Sequence, residues 1–140
     1  MVRLHDAFPL DTGPIQEFIN NRHGLRQRAD AERRLGNRIG NCMPVLGELC
    51  SGVEGCQARE LNLKRLRHAV SRLTIWPYDQ AAAEEFGRLF ILLKRMGRPM
   101  QQIDIQIAAI ALSLKNCVVI TTDSDLLAIP GLATDNWSLP

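Results

Sequence analysis

A chain of 140 residues that is 46% apolar has room for one domain with a real core and little room for two. Its 17 basic and 15 acidic residues leave a net charge of +2, and no apolar run approaches the roughly 18 residues of a membrane span. Residues 1–6 lack the continuous apolar stretch of a signal segment, so a cytoplasmic protein with no membrane contact is expected.

The charge is unevenly spread. Residues 1–98 hold 16 of the 17 basic residues, whereas residues 99–140 hold Lys115 and four acids, Asp104, Asp123, Asp125 and Asp135. Such a division suits phosphate binding by one part of the chain and cation binding by another. The four cysteines (Cys42, Cys50, Cys56, Cys117) form no Cys-x-x-Cys pair, and His5, His23 and His68 do not stand near them at ligand spacing. They read as small buried apolar residues, not as a zinc site.

In chain order, Ala7 to Leu10 is a short apolar stretch, and Pro14 suits the first turn of a helix that continues through Ile19. Residues 25–36 read as an Arg-rich surface helix anchored by Leu25, Ala29 and Leu35. Ile39 to Met43 is a second strand, and Pro44 opens a helix carrying Val45, Leu46, Leu49 and Val53. Leu63, Leu66, Val70 and Leu73 repeat at the spacing of one helix face, which predicts an amphipathic helix over 57–73. Thr74 to Trp76 is a short strand ended by Pro77. Asp79 then caps a helix whose inner face is Ala82, Phe86, Leu89, Phe90, Leu93 and Met96, stopped by Gly97 and Pro99.

Ile103 to Leu114 is apolar almost all round, as a helix buried on most faces must be. Cys117 to Ile120 has the unbroken apolar character of a central parallel strand, and Leu132 to Trp137 supplies an edge strand after the Pro130-Gly131 turn. Alternating strands and helices predict an α/β fold with a parallel sheet.

Four acids share one placement. Asp11 follows the first strand, Glu48 lies early in the helix after the second, Asp104 opens the buried helix, and Asp123 follows the strand ending at Thr121. Ligands of open parallel sheets bind beyond the carboxyl ends of the strands, so these side chains are expected at one rim. Singly, each has a plainer role as a helix cap, a first-turn acid or a turn former. Together they repel: two carboxylates about 4 Å apart cost roughly 4 kcal/mol at an effective dielectric near 20. Such a cluster takes up protons or a hard cation such as Mg²⁺ or Mn²⁺.

Four stretches carry a resemblance. They are Leu10-Asp11-Thr12; Gly47-Glu48-Leu49 through Glu54; Gly97-Arg98-Pro99 through Asp104 to Ala109; and Thr121-Thr122-Asp123-Ser124-Asp125 leading into Ile129-Pro130-Gly131-Leu132. In this order they make the chain, from about Leu10 to Trp137, similar to the PIN-domain ribonucleases of the VapC type. The resemblance implies one PIN-like domain over 1–140, with a central parallel sheet of about five strands and helices on both faces. It implies an Mg²⁺- or Mn²⁺-dependent endoribonuclease, the toxin of a type II toxin–antitoxin pair. Its RNA substrate would be single-stranded or looped, tRNA or rRNA among the candidates, its partner an antitoxin protein, and its assembly a homodimer. Asp11, Glu48, Asp104 and Asp123 would be the metal-binding acids, with Asp125 as an additional one and Thr12 and Thr121 supporting them through hydroxyl hydrogen bonds. Water activated by metal at Asp11 and Asp104 would attack the phosphate and leave a 5′-phosphate.

Two departures stand out. Gly13 occupies a position where the family usually has Asn, and Pro9 interrupts the first strand; a proline is unwelcome in a central strand, so irregular backbone is expected before Leu10. Arg33, Arg34, Arg65, Arg67 and Arg98 are the candidates for an RNA backbone, with a solvated helix face as the alternative. Trp76 and Trp137 read as packing residues. Ile15, Phe18 and Leu25 read as core, with an apolar groove for an antitoxin helix as the other option. Three rival readings remain. The Asp11-Thr12-Gly13 sequence matches an aspartic protease motif, which needs a mainly β chain. A phospho-accepting receiver domain would need a Lys where Thr121 and Thr122 stand. A catalytically inactive PIN domain would be only an RNA- or protein-binding module.

Overall fold

The computed structural model describes residues 6–140; residues 1–5, which carry His5 and most of the N-terminal stretch, lie outside the described residues. Five strands alternate with seven helices among the described residues. The strands are β1 (Ala7–Pro9), β2 (Arg38–Cys42), β3 (Thr74–Trp76), β4 (Val119–Ile120) and β5 (Thr134–Asp135). The helices are α1 (Thr12–Ile19), α2 (Leu25–Arg34), α3 (Met43–Glu54), α4 (Arg59–Val70), α5 (Gln80–Arg95), α6 (Gln102–Ser113) and α7 (Ser124–Leu127).

Every pairing is parallel. One ladder runs β1-β2-β3, with Phe8 opposite Ile39 and Asn41 opposite Ile75; a second joins β4 and β5. Single bridges, Ala7 to Cys117 and Leu10 to Ile120, attach β4 to the free side of β1. The spatial order is therefore β3-β2-β1-β4-β5. The chain winds outward from β1 to β3, then returns to the other side of β1. Helices α1 to α4 pack among themselves and α5 packs on α6, and the reversal of strand order leaves a crevice beyond the ends of β1 and β4.

Pro9 lies inside a central strand, contrary to the irregular backbone expected there. The physical reason is visible in its neighbours. Ala7 and Asp11 both donate towards the β4 side, to Asn116 and Ile120, so the ring nitrogen of Pro9 faces β4 as well. Only one rung of that seam is missing, and the bonds to β2 are untouched. The gap also explains why β1 and β4 meet through two separate bridges and not a continuous ladder. On the other side, β3 closes so tightly on β2 that a Cβ at Gly40 would run into the Thr74 carbonyl and the Trp76 ring.

The core is built around α6, where Ile105, Ile107, Ala108, Ala109, Ile110 and Ala111 are all buried. Helix α5 lies against it through Ala82, Leu89 and Leu93. Phe90 and Met96, expected on that face, are 42% and 51% exposed. Phe90 stands about 80° round the helix from the buried stripe at 100° per residue, and Met96 falls after the last helical residue. Leu35, expected to anchor α2, likewise follows that helix's end and is 71% exposed. Asp79 caps α5 by accepting from the Ala82 amide, and Gly97 leaves the helix with φ of 69°.

Ile15, Phe18 and Leu25 are core residues, as are both tryptophans; Phe8 and Trp137 pack with ring centroids 5.0 Å apart. All four cysteines are free. Cys42 is buried, and burial drives its thiol far above the usual range, whereas Cys50 is exposed on α3, unlike the buried residue expected.

Candidate active site

Strand ends and helix starts bring the acids together. Asp11 directly follows Leu10 at the N-cap of α1, and Asp123 stands at the N-cap of α7 just beyond β4. Glu48 is in the second turn of α3. Asp104 is in the first turn of α6, the end of that helix that faces the carboxyl rim because α6 runs back to start β4. Asp11, Glu48, Asp104 and Asp123 line one cavity of about 430 Å³, with Thr12, Gly13, Ile103 and Thr122 among its walls.

Asp11 is 8% exposed, and its carboxylate makes no cap bond to α1. It turns instead towards β4, where the buried Thr121 hydroxyl donates to its Oδ2 at 2.8 Å. The same hydroxyl accepts from the Asp123 amide at 2.9 Å, so one threonine fixes the Asp11 carboxylate and the start of the next loop. The Thr12 hydroxyl donates to Glu48 Oε1 at 3.1 Å, tying α1 to α3. Asp123 Oδ1 accepts from the Asp125 amide at 2.8 Å, and Asp125 faces Arg98 at 3.4 Å.

Asp104 is the only acid on α6 and is 8% exposed. Burial first, then the charges of Asp123, Asp11, Asp125 and Glu48, push its carboxyl up to about 6. The other four acids of this rim therefore all act on Asp104. No base lines the cavity to neutralise them.

The donor set fits a hard divalent cation. The cavity's charged donors are carboxylate oxygens, with hydroxyls beside them and no thiol or imidazole. Among the described residues, no three acidic, histidine or cysteine side chains converge closely enough to form a closed ligand cage. That spacing suits Mg²⁺ or Mn²⁺, which bind through one or two carboxylates and complete their shell with water and substrate phosphate.

A family model described as PIN domain matches residues 10–132. The chain belongs to the PIN domain family. This PIN domain is 35% identical over 131 residues to the tRNA(fMet)-specific endonuclease VapC of Salmonella typhimurium, a match covering 93% of this chain and 97% of that one. Among solved structures, it resembles the DNA-bound VapBC of Salmonella typhimurium with a TM-score of 0.86 and 30% identity, over 96% of this chain and 99% of that chain. The VapBC2 of Rickettsia felis bound to a promoter DNA fragment gives a TM-score of 0.87 at 25% identity, over 94% and 99% of the two chains. The PIN domain is thus of the VapC type.

In this PIN domain the Asp11-Thr12-Gly13 sequence runs into α1, so the all-β framework an aspartic protease needs is absent from the described residues. The arginines that the sequence singles out scatter. Arg98 pairs with Asp125 beside the rim, and Arg65 on α4 lines a neighbouring hollow. Arg33 donates to the Arg72 carbonyl at 2.6 Å and pairs with Asp30, while Arg34 and Arg67 are exposed on α2 and α4. One residue is not marked by any motif. Asn41, buried on β2, donates from Nδ2 to the Leu10 carbonyl at 2.9 Å and so clamps the backbone that presents Asp11. With Arg38 in the same short strand, no local pattern in the sequence singles Asn41 out.

Proposed function

We propose that this PIN domain, a single domain spanning the chain, is an endoribonuclease that hydrolyses RNA phosphodiester bonds with Mg²⁺ or Mn²⁺. In that reading it is the toxin of a toxin–antitoxin pair, acting in the cytoplasm as a homodimer and silenced by an antitoxin protein. The observation that supports it most is the gathering of Asp11, Glu48, Asp104 and Asp123 around one cavity, where Asp104 is pushed up to about 6 by burial and like charge. Crowding of this kind raises the energy of the empty rim and favours binding of a divalent ion.

Asp11 and Asp104 are the principal candidates to hold the ion, with Glu48 and Asp123 lining the same cavity and Asp125 at its margin. A bound divalent ion supplies Lewis acidity, easing deprotonation of a water and neutralising charge on the phosphoryl oxygens. The chain's own groups do the positioning. Thr121 holds the Asp11 carboxylate through Oδ2, Asn41 holds the Leu10 carbonyl, and Thr12 holds Glu48. Asp123 spends Oδ1 on the Asp125 amide and keeps Oδ2 for the cavity.

No helix among the described residues is long and apolar enough to cross a membrane. The test is cleavage of a mixed tRNA and rRNA substrate with Mg²⁺ or Mn²⁺. Asp104→Asn is expected to lower cleavage by about a hundredfold or more, the scale of losing a group that acts on the reacting centre. EDTA is expected to abolish it. Equal activity in the variant, or activity that survives EDTA, removes the proposed site.

A further inference from the structure

Two more hollows extend the acidic cavity across the surface. The first, of about 470 Å³, shares Thr12 and Glu48 with the cavity and runs between α1, α3 and α4 past Gln16, Asn20 and Asn62 to Arg65. The second, of about 320 Å³, shares Ile19, Asn20 and Arg65 with the first and is walled by Arg26, His68 and Arg72. Together they form one trough leading away from the sheet rim.

Charge changes sign along it. The inner end is carboxylate, the middle has an apolar floor (Ile19, Leu49, Val53, Leu66) edged by the side-chain amides of Gln16, Asn20 and Asn62, and the outer end presents three arginines and a histidine with no acid in its lining. Three surface arginines elsewhere sit against local acids: Arg28 with Glu32, Arg59 with Glu54, Arg88 with Glu85. Among the described residues the Arg65 and Arg72 side chains have no such partner. Arg26 is held in place by neutral acceptors, donating to the Phe18 and Ile19 carbonyls at 2.7 Å, so its charge is fixed in position and left uncompensated. One fixed guanidinium, Arg26, beside the two of Arg65 and Arg72 on a concave wall without carboxylates suits phosphate.

We propose that this trough holds a single RNA strand leading into the acidic cavity, with Arg65 at the junction and Arg26 and Arg72 beyond it neutralising phosphates. The amides of Gln16, Asn20 and Asn62 suit unpaired base edges and sugar hydroxyls, which a duplex hides. From Asn62 to Val70 the border along α4 is about 12 Å long at helical rise, with Arg72 just beyond its end, enough for more than one phosphate. The proposal rests on the nuclease reading for what happens at the inner end, and on the trough alone for binding.

Binding of a short single-stranded RNA to the Asp104→Asn protein in Mg²⁺, followed by fluorescence anisotropy, tests it. Arg65→Gln with Arg72→Gln is expected to weaken binding at least tenfold and to flatten the slope of log K against log salt by about 1.4, at about 0.7 for each phosphate no longer neutralised. Arg65→Lys retains most of the affinity, and Arg88→Gln on α5 changes nothing. In the otherwise wild-type enzyme, the paired substitution raises KM and leaves kcat within about threefold. Unchanged affinity and salt slope, or equal binding of duplex RNA, overturns the assignment. So does loss of binding to an acidic peptide with RNA binding intact, which would make the trough a protein groove. Should the wild type bind RNA as described yet cleave none, the nuclease reading falls and the trough stands; cleavage with an unaltered KM in the paired variant does the reverse.

Discussion

At the end of β1, Asp11 stands at the N-cap of α1 and leaves that helix uncapped; at the end of β4, Asp123 stands at the N-cap of α7 and caps it. Both backbones are extended there, with ψ of 173° and 123°, so either side chain could have capped. The difference lies in what the neighbouring strand offers. Asp11 meets the buried Thr121 hydroxyl across the seam, whereas Asp123 finds an amide two residues ahead in its own turn. One carboxylate is therefore placed by tertiary structure and the other by local chain geometry. Uncapped amides at the start of α1 also leave that helix end with its partial positive charge beside the acids.

Removing the shared threonine breaks the comparison most. Thr121→Val takes a hydrogen bond from the Asp11 carboxylate and another from the Asp123 amide; cleavage is expected to fall by about tenfold and stability by about 2 kcal/mol, read by RNA cleavage and denaturant unfolding. The next effect is a pH dependence. In the fold Asp104 keeps its proton up to about pH 6, against 3.8 in an ordinary aspartate, so the folded state binds more protons between those values. Stability of the metal-free protein therefore falls as pH rises through that window, by about 1 kcal/mol after allowance for solvent screening. Melting in EDTA at pH 4.5 and pH 7 is expected to show this loss in the wild type and not in Asp104→Asn. The smallest effect isolates the local cap: Asp123→Ala is expected to cost about 1 kcal/mol and Asp123→Ser only a few tenths, while both lower cleavage. Equal melting temperatures for the two would mean that the cap contributes nothing.

Much of this arrangement is legible in the sequence. Asp104 announces itself as the sole acid on the most apolar helix, and the parallel sheet follows from alternating elements and the run Cys117 to Ile120. What escapes depends on contacts between elements. Asn41 matters because it faces Leu10 in the β1–β2 register, which no local pattern records. Arg33 and Arg65 look alike in an Arg-rich stretch, yet one is spent on the Arg72 carbonyl and the other lines a hollow. Phe90 satisfies a periodic pattern wider than the stripe its packing partner covers, and Leu35 continues a pattern past the point where α2 ends. Pro9 reads as a strand breaker only while its missing donor is weighed without knowing which neighbour it faces.

That missing donor has a consequence for assembly. The sheet is two unbroken ladders joined along a line short of one rung, and a structure parts first where its bonds are fewest. Asp11 belongs to one half; Thr121 and Asp123 belong to the other. The rim therefore exists only where both halves are in place, and anything that loosens the β1–β4 seam separates Asp11 from the threonine that holds it.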